Sequence, residues 1–111
     1  MAKRLKQVKI RIIRERLEAL YSICDDMLQE FKPENETEHL MREYLKELHH
    51  QLYKKMALNQ SMYTLHMSGT EAVAFRQLWN VLCIKNDKYA AILVRSILGQ
   101  IDRYNEEQIF S

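Results

Sequence analysis

The chain has 111 residues, a length that fits one domain. Hydrophobic residues make up 47% and charged residues 29% of the sequence, which is ordinary for a folded globular protein. Only two glycines and one proline are present, and this scarcity favours long helices over a turn-rich β fold.

The cysteines and the apolar runs indicate the compartment. Cys24 and Cys83 form neither a CxxC pair nor a disulfide framework, which is typical of a reducing environment. The longest apolar run, about Tyr89 to Val94, is far shorter than the roughly 20 residues that cross a bilayer. The N-terminus lacks the apolar segment of a secretory signal. We therefore expect a cytoplasmic protein without a membrane partner.

Positive charge is concentrated at the N-terminus. The chain carries a net charge of +2, whereas residues 1–16 alone carry +6, because seven basic side chains face one acidic residue, Glu15. The rest of the chain is therefore net acidic. Such a basic end is either a solvated surface or a contact surface for nucleic acid or an acidic partner.

The first predicted element is a strand. Apolar and polar side chains alternate from Gln7 to Ile12, and a period of two is the signature of a strand. The apolar side is Val8, Ile10 and Ile12, and the polar side is Gln7, Lys9 and Arg11. An alternative is one long helix from Lys3 to Phe31, because no Ser, Thr, Asp or Asn lies between Ile12 and Ser22 to cap a new helix.

The first helix is predicted to end near Phe31, because Pro33 in the following loop lacks an amide donor and restricts its neighbour. Thr37 is predicted to cap the second helix. Apolar residues then follow at helical spacing. They are Leu40, Tyr44, Leu45, Leu48, Leu52 and Met56.

A second alternating segment runs from Met62 to Met67. Its backbone groups need a partner, and Val8–Ile12 is the only good candidate in the chain. Ser68 and Glu71 then have capping-box spacing at the start of a third helix. The predicted buried face of that helix is Ala72, Phe75, Leu78, Trp79 and Leu82.

A turn at residues 85–87 is predicted to end the third helix, and Asn86 or Asp87 to cap the fourth. The fourth helix is apolar on most sides and is predicted to be the most buried element. Gly99 costs about 1 kcal/mol relative to alanine inside a helix, so we expect a close helix–helix approach there. Its apolar residues include Tyr89, Ile92, Leu93, Val94, Ile97, Leu98 and Ile101.

These elements predict a mostly α fold, with four helices and a small two-stranded antiparallel ribbon, in a single domain of residues 1–111. The alternative is an all-α four-helix bundle with a long first helix. Residues 1–58 and 62–106 have a similar order of elements. Aligning Ile10 with Leu65 also aligns Ile12 with Met67. A duplicated strand-helix-helix unit and a coincidence of pattern both explain this similarity.

No cluster specifies a reaction. Glu47 and His50 have the Glu-x-x-His spacing of di-metal bundles, with His39 and Glu43 on the same side. At about 100° per residue these four lie opposite Leu48, so we expect a solvent face without a metal. Cys24 and Cys83 are predicted to pack as small core residues. We therefore expect no catalytic residue, no cofactor and a non-enzymatic function.

The basic strand followed by two helices resembles the ribbon-helix-helix DNA-binding proteins. The resemblance covers Gln7–Met56 and, more weakly, Met62–Tyr104. In that family two chains each supply one strand of an antiparallel ribbon, whose outward side chains read bases, and the second helix begins at a phosphate. The resemblance implies that Gln7, Lys9 and Arg11 face a groove and that Thr37 lies where the phosphate-holding helix starts.

The sequence thus predicts a small binding or regulatory module, with nucleic acid as the most concrete partner. The predicted nucleic-acid-binding residues are Lys3, Arg4, Lys6, Gln7, Lys9, Arg11, Thr64 and His66. The alternative is a helical protein–protein interaction or oligomerisation module, in which the basic end contacts an acidic protein or the chain forms a homo-oligomer.

Overall fold

The described residues include two strands, one in each half of the chain, which form one antiparallel ribbon. The computed structural model describes residues 8–81 and 88–110, and the side chains of residues 8–80 and 89–104. Strand β1 spans Val8–Ile13 and strand β2 spans Met62–Met67. Their register places Ile10 directly opposite Leu65. The predicted pairing is confirmed, and the alternative of one long helix from Lys3 to Phe31 is wrong.

Among the described residues, two helices follow each strand. They are α1, Arg14–Glu30, α2, Glu36–Met56, α3, Gly69–Val81, and α4, Lys88–Phe110. The order strand-helix-helix therefore occurs twice. Helix α1 packs along α2, α2 contacts α3, and α4 packs against both α1 and β1. The mostly α fold that the sequence predicts is confirmed.

The core lies between the ribbon and the helices. One face of each strand is buried, with Val8, Ile10 and Ile12 from β1 and Tyr63, Leu65 and Met67 from β2. These side chains join a single apolar cluster to which α1, α2, α3 and α4 all contribute. Burial of alternate residues is what gives the ribbon one apolar and one solvent face, and it also fixes the register.

Helix α1 begins without a side-chain cap. Its N-cap residue, Ile13, supplies no cap hydrogen bond. Instead, the backbone N–H of Arg14 donates to the carbonyl of Ser61, which precedes β2, at 3.0 Å. The start of α1 is therefore set by the partner strand's approach, in place of a local capping residue.

The starts of α2 and α3 are capped by side chains. Asn35 caps α2 by accepting from the N–H of Glu38 at 2.9 Å, so the predicted cap at Thr37 is wrong. Thr37 is already the second residue of the helix. At α3 the predicted capping box is confirmed, since Ser68 Oγ accepts from the N–H of Glu71 and Glu71 Oε1 accepts from the N–H of Ser68, each at 3.1 Å.

Helix α4 is less enclosed than its composition predicts. Tyr89 and Ile92 are exposed, at 48% and 62% of their surface, so burial on most sides is wrong for the start of the helix. A Cβ built on Gly99 meets nothing within 4 Å, which contradicts the predicted close helix–helix approach. Leu82, the turn at residues 85–87 with the predicted caps Asn86 and Asp87, and Cys83 lie outside the described residues.

Candidate nucleic-acid interface

The ribbon turns one polar face to solvent. Lys9 lies directly opposite His66, and Arg11 lies directly opposite Thr64. Lys9, Arg11 and His66 are exposed and Thr64 is half-buried. We call these four residues the basic face. The other predicted site residues, Lys3, Arg4, Lys6 and Gln7, lie outside the described residues.

The two cations of β1 stand side by side. Residues two apart in a strand point to the same side and are separated by about 6.6 Å along the chain. Lys9 and Arg11 are therefore close enough to meet neighbouring groups of one ligand. Beyond them the face becomes apolar, because Ile13 lies opposite Met62 and both are exposed. The positive charge is thus confined to one part of the ribbon.

No described acid neutralises the basic face. The ion pairs of the described residues are Arg14–Glu18, Lys46–Glu43, His49–Asp25 and Arg76–Asp102. Neither Lys9 nor Arg11 takes part in one of these pairs. Unpaired cations on an exposed surface attract polyanions without first giving up an internal partner.

Arg14 belongs to the basic N-terminal segment but does not contribute a free charge. Its guanidinium pairs with Glu18 at 3.0 Å and donates to Tyr63 Oη at 2.6 Å and to the carbonyl of Leu58 at 3.2 Å. Arg14 thereby ties α1 to β2 and to the segment after α2. The charge of residues 1–16 therefore overstates what the surface offers to a ligand.

Two neighbouring surfaces extend the positive charge. Arg16 lines a groove of about 280 Å³ together with Arg11, Ser96 and Gln100. On the other side of the ribbon, Lys54 and Lys55 line a groove with His66. Lys54 and Lys55 are not predicted from the sequence, because the last turn of α2 meets β2 only through the fold. Arg16 is part of the basic N-terminal segment, but no sequence pattern assigns it to the site.

Helix α4 binds the backbone of β1 at Arg11, near the middle of the strand. Gln100 Oε1 accepts from the backbone N–H of Arg11 at 2.9 Å, and Gln100 Nε2 donates to the carbonyl of Arg11 at 3.0 Å. This pair of bonds fixes the backbone of Arg11 and leaves its side chain on the solvent side. No local sequence signal links residues so far apart in the chain.

The start of α2 is a poor place for a phosphate. Asn35 Oδ1 already accepts from the N–H of Glu38, and Glu36 and Glu38 place negative charge in the first turn. Glu38 also accepts from Asn35 Nδ2 at 2.8 Å. The phosphate-holding position that the family resemblance gives to Thr37 is thus surrounded by acid in this chain.

The groups with shifted pKa lie away from the ribbon. Burial raises the pKa of the Cys24 thiol to about 12, and the carboxylate of Asp25 adds to the rise. Burial, followed by the charge of Glu71, raises the pKa of Tyr44. Cys24 is fully buried, so it is a protonated core residue and a poor nucleophile at neutral pH.

The predicted solvent face of α2 is confirmed. His39, Glu43, Glu47 and His50 are all exposed. Within the part of the chain that the structure describes, no three His, Cys, Asp or Glu side chains are grouped as metal ligands. None of the described helices is both long and apolar enough to cross a bilayer.

Comparison of the chain with protein-family models, with curated proteins and with solved structures gave no match. The described residues themselves define a mostly helical domain whose two-stranded ribbon presents unpaired cations to solvent.

Proposed function

We propose that this domain binds nucleic acid through the basic face and does not act as an enzyme. The observation that carries the proposal is the pair of unneutralised cations, Lys9 and Arg11, side by side on an exposed ribbon. A two-stranded ribbon fits the major groove of duplex DNA. There the Arg11 guanidinium would reach base edges or a phosphate, and Lys9 would contact a phosphate.

The surrounding residues support this mode of binding. Arg16 lies beside Arg11 in the same groove and would add a contact to the phosphate backbone. The bonds between Gln100 and the backbone of Arg11 hold the ribbon in place before a ligand arrives. A ribbon supplied by a single chain would resemble the ribbon-helix-helix arrangement with both strands in one polypeptide.

Fluorescence anisotropy with random duplex DNA and then with RNA, at about 50 mM salt, tests the proposal, because non-specific binding is strongest at low salt. We expect log K to fall with log salt by about 0.9 per phosphate contact. The double variant Lys9→Ala, Arg11→Ala should bind more weakly and with a shallower slope, and its stability should be unchanged because both side chains are exposed.

The matched control is Lys32→Ala, Lys46→Ala, which removes the same charge from exposed positions outside the ribbon. Lys32 follows the C-terminal end of α1, whereas β1 precedes the N-terminal end of that helix. If this control weakens binding as much as the ribbon variant does, general charge and not the basic face is responsible. Absence of binding to DNA and RNA at tens of micromolar protein would exclude the proposal.

A second candidate function is favoured by a groove between α2 and α3. It has a volume of about 450 Å³ and is lined by Leu40, Tyr44, Val73 and the acids Glu43, Glu47 and Glu71, among others. Leu40, one of the apolar residues at helical spacing in α2, is 64% exposed, and Val73 is 58% exposed. An amphipathic helix with basic residues would fit this acidic groove, as in helix-in-groove recognition.

This candidate predicts copurification of a partner that survives nuclease treatment and is lost in the variant Leu40→Ser, Val73→Ser. Both residues are exposed, so the variant should fold normally. Copurification that nuclease abolishes would instead support the nucleic-acid proposal.

A further inference from the structure

The two outer edges of the ribbon are not equivalent. On β1, the side-chain amide of Gln100 binds both backbone groups of Arg11. Both groups therefore point away from β2, and Arg11 and Thr64 form a non-hydrogen-bonded pair in the antiparallel ladder. The bond from Arg14 N–H to the carbonyl of Ser61, three positions further along, agrees with this alternation.

The same alternation directs the backbone groups of β2 outward. Since Met62, Thr64 and His66 lie opposite Ile13, Arg11 and Lys9, their N–H and C=O groups point away from β1. We call this row the open edge. Apart from the ladder, the hydrogen bonds of the described residues include none to the backbone of Thr64 or His66. A strand with such an edge is a template for pairing with another chain.

A groove of about 270 Å³ runs beside the open edge. It is lined by Gln51, Lys54, Lys55, Leu58, Leu65 and His66. Lys54 and Lys55 take part in none of the ion pairs of the described residues. Leu58 is 47% exposed and provides an apolar contact in the same groove. The groove thus combines unpaired backbone groups, free cations and an apolar side chain.

We propose that the open edge docks an extended acidic segment of a partner protein as a third strand of the sheet. The backbone of that segment bonds the N–H and C=O groups of Thr64 and His66. Its carboxylates pair with Lys54 and Lys55, and one of its apolar side chains covers Leu58. Main-chain bonds supply affinity in this mode of recognition and the side-chain pockets supply specificity.

Charge decides the occupant. Two copies of this chain joined edge to edge would bring both sets of Lys54 and Lys55 together, and like charges across an interface oppose association. An acidic segment removes that repulsion. The open edge shares Thr64 and His66 with the basic face but uses their backbone groups. An added strand lies in the plane of the sheet and leaves the side chains of Lys9 and Arg11 free.

The probe is a synthetic peptide of about eight residues that alternates valine with glutamate. NMR titration should show saturable binding, with the amides of Thr64 and His66 shifted and protected from hydrogen exchange. The same peptide with lysine in place of glutamate should bind at least tenfold more weakly. A peptide methylated at alternate backbone nitrogens, which cannot complete the ladder, should also bind at least tenfold more weakly.

Thr64→Pro tests the edge itself. The N–H of Thr64 lies outside the ladder, and proline is tolerated at such edge positions. The variant should keep its far-UV CD spectrum and lose at least tenfold in affinity. Lys54→Glu, Lys55→Glu should lose affinity equally without touching the strand, whereas the matched variant Lys32→Glu, Lys46→Glu should bind normally.

Three results would overturn the proposal. The first is equal affinity for the acidic and the lysine peptide. The second is unchanged affinity in Lys54→Glu, Lys55→Glu, which tests the site even if Thr64→Pro does not fold. The third is a dimer in sedimentation experiments that Thr64→Pro converts to a monomer, because a second copy would then occupy the edge.

Discussion

Gly99 shows how a single residue can weaken an element without serving the fold. It lies inside α4, and the space around its missing Cβ is open. Gly99→Ala should therefore raise the free energy of unfolding by about 1 kcal/mol, because alanine loses less backbone entropy and clashes with nothing. Thermal unfolding followed by CD is the measurement. A lower melting temperature would mean that the glycine has a role in the native structure.

Cys24 couples the core to pH. Its folded pKa of about 12 exceeds the ordinary thiol value of 9.0, so the folded state keeps a proton that the unfolded state releases above pH 9. The thiol's contribution to stability is therefore complete below pH 9 and is lost as pH rises towards 12. The pKa of Tyr44 is also raised by burial, and its contribution has the same sign.

Between neutral pH and about pH 10.5, we expect the free energy of unfolding to fall on the order of 2 kcal/mol further in the unsubstituted protein than in Cys24→Ala. One pKa unit corresponds to about 1.4 kcal/mol. Urea unfolding at the two pH values measures the fall in both proteins. Lysines and tyrosines ionise in both proteins, so the comparison isolates Cys24. Equal losses in the two proteins would contradict the assignment to Cys24.

At the scale of elements, an arginine of α2 donates hydrogen bonds to free carbonyls at the C-terminal end of α1. Arg42 Nη1 donates to the carbonyls of Leu28 and Phe31 at 2.9 and 3.1 Å. Helix α1 has no basic residue in its own last turn, so Arg42 supplies the cation that its carbonyl end favours.

Arg42→Ala should lower the free energy of unfolding by about 1.5–3 kcal/mol, because it removes charge-assisted hydrogen bonds to two carbonyls. Lys46→Ala is the control on the same helix, since its exposed pair with Glu43 should contribute less than about 1 kcal/mol. Chemical denaturation compares the two. A similar small effect for both would mean that water satisfies the end of α1 equally well.

The sequence predicts a strand or a helix where apolar residues alternate with polar ones or recur at helical spacing. Ile10 and Leu65 are such positions, and the capping box of Ser68 is equally local. The start of α1 was ambiguous because its partner, the carbonyl of Ser61, lies far away in the chain. Asn35 and Thr37 are both capping residue types only two positions apart, so residue type alone does not choose between them.

Of the candidate site, alternation predicted the shared face of Lys9, Arg11, Thr64 and His66, which follows from the pleat of a strand. It could not predict Lys54, because the approach of α2 to the ribbon depends on how the helices pack.

At the scale of the whole molecule, the two strands are related by an approximate twofold axis that the helices do not obey. Ile10 and Leu65, which the alignment of the two halves equates, lie directly opposite each other at the centre of the ribbon. A twofold axis through this pair would exchange β1 with β2. The helices depart from that symmetry, because α4 packs against β1, whereas α2 packs chiefly along α1.

The departure extends to charge. Strand β1 presents Lys9 and Arg11, whereas the facing positions of β2 are His66 and Thr64. If the basic face binds nucleic acid, the first strand should dominate binding and the second should contribute less. A substitution that makes the second strand resemble the first should then strengthen binding.

Thr64→Arg, directly opposite Arg11, is that substitution. We expect tighter binding to duplex DNA and a salt slope steeper by up to about 0.9, because one further phosphate is neutralised. The like charge across the ribbon should cost stability by no more than about 1 kcal/mol. Thr70→Arg is the matched control, because it adds the same charge beside the acidic groove of α2 and α3. Anisotropy titrations over a range of salt concentrations compare the two variants. If Thr70→Arg steepens the slope as much as Thr64→Arg does, the ligand does not lie on the ribbon.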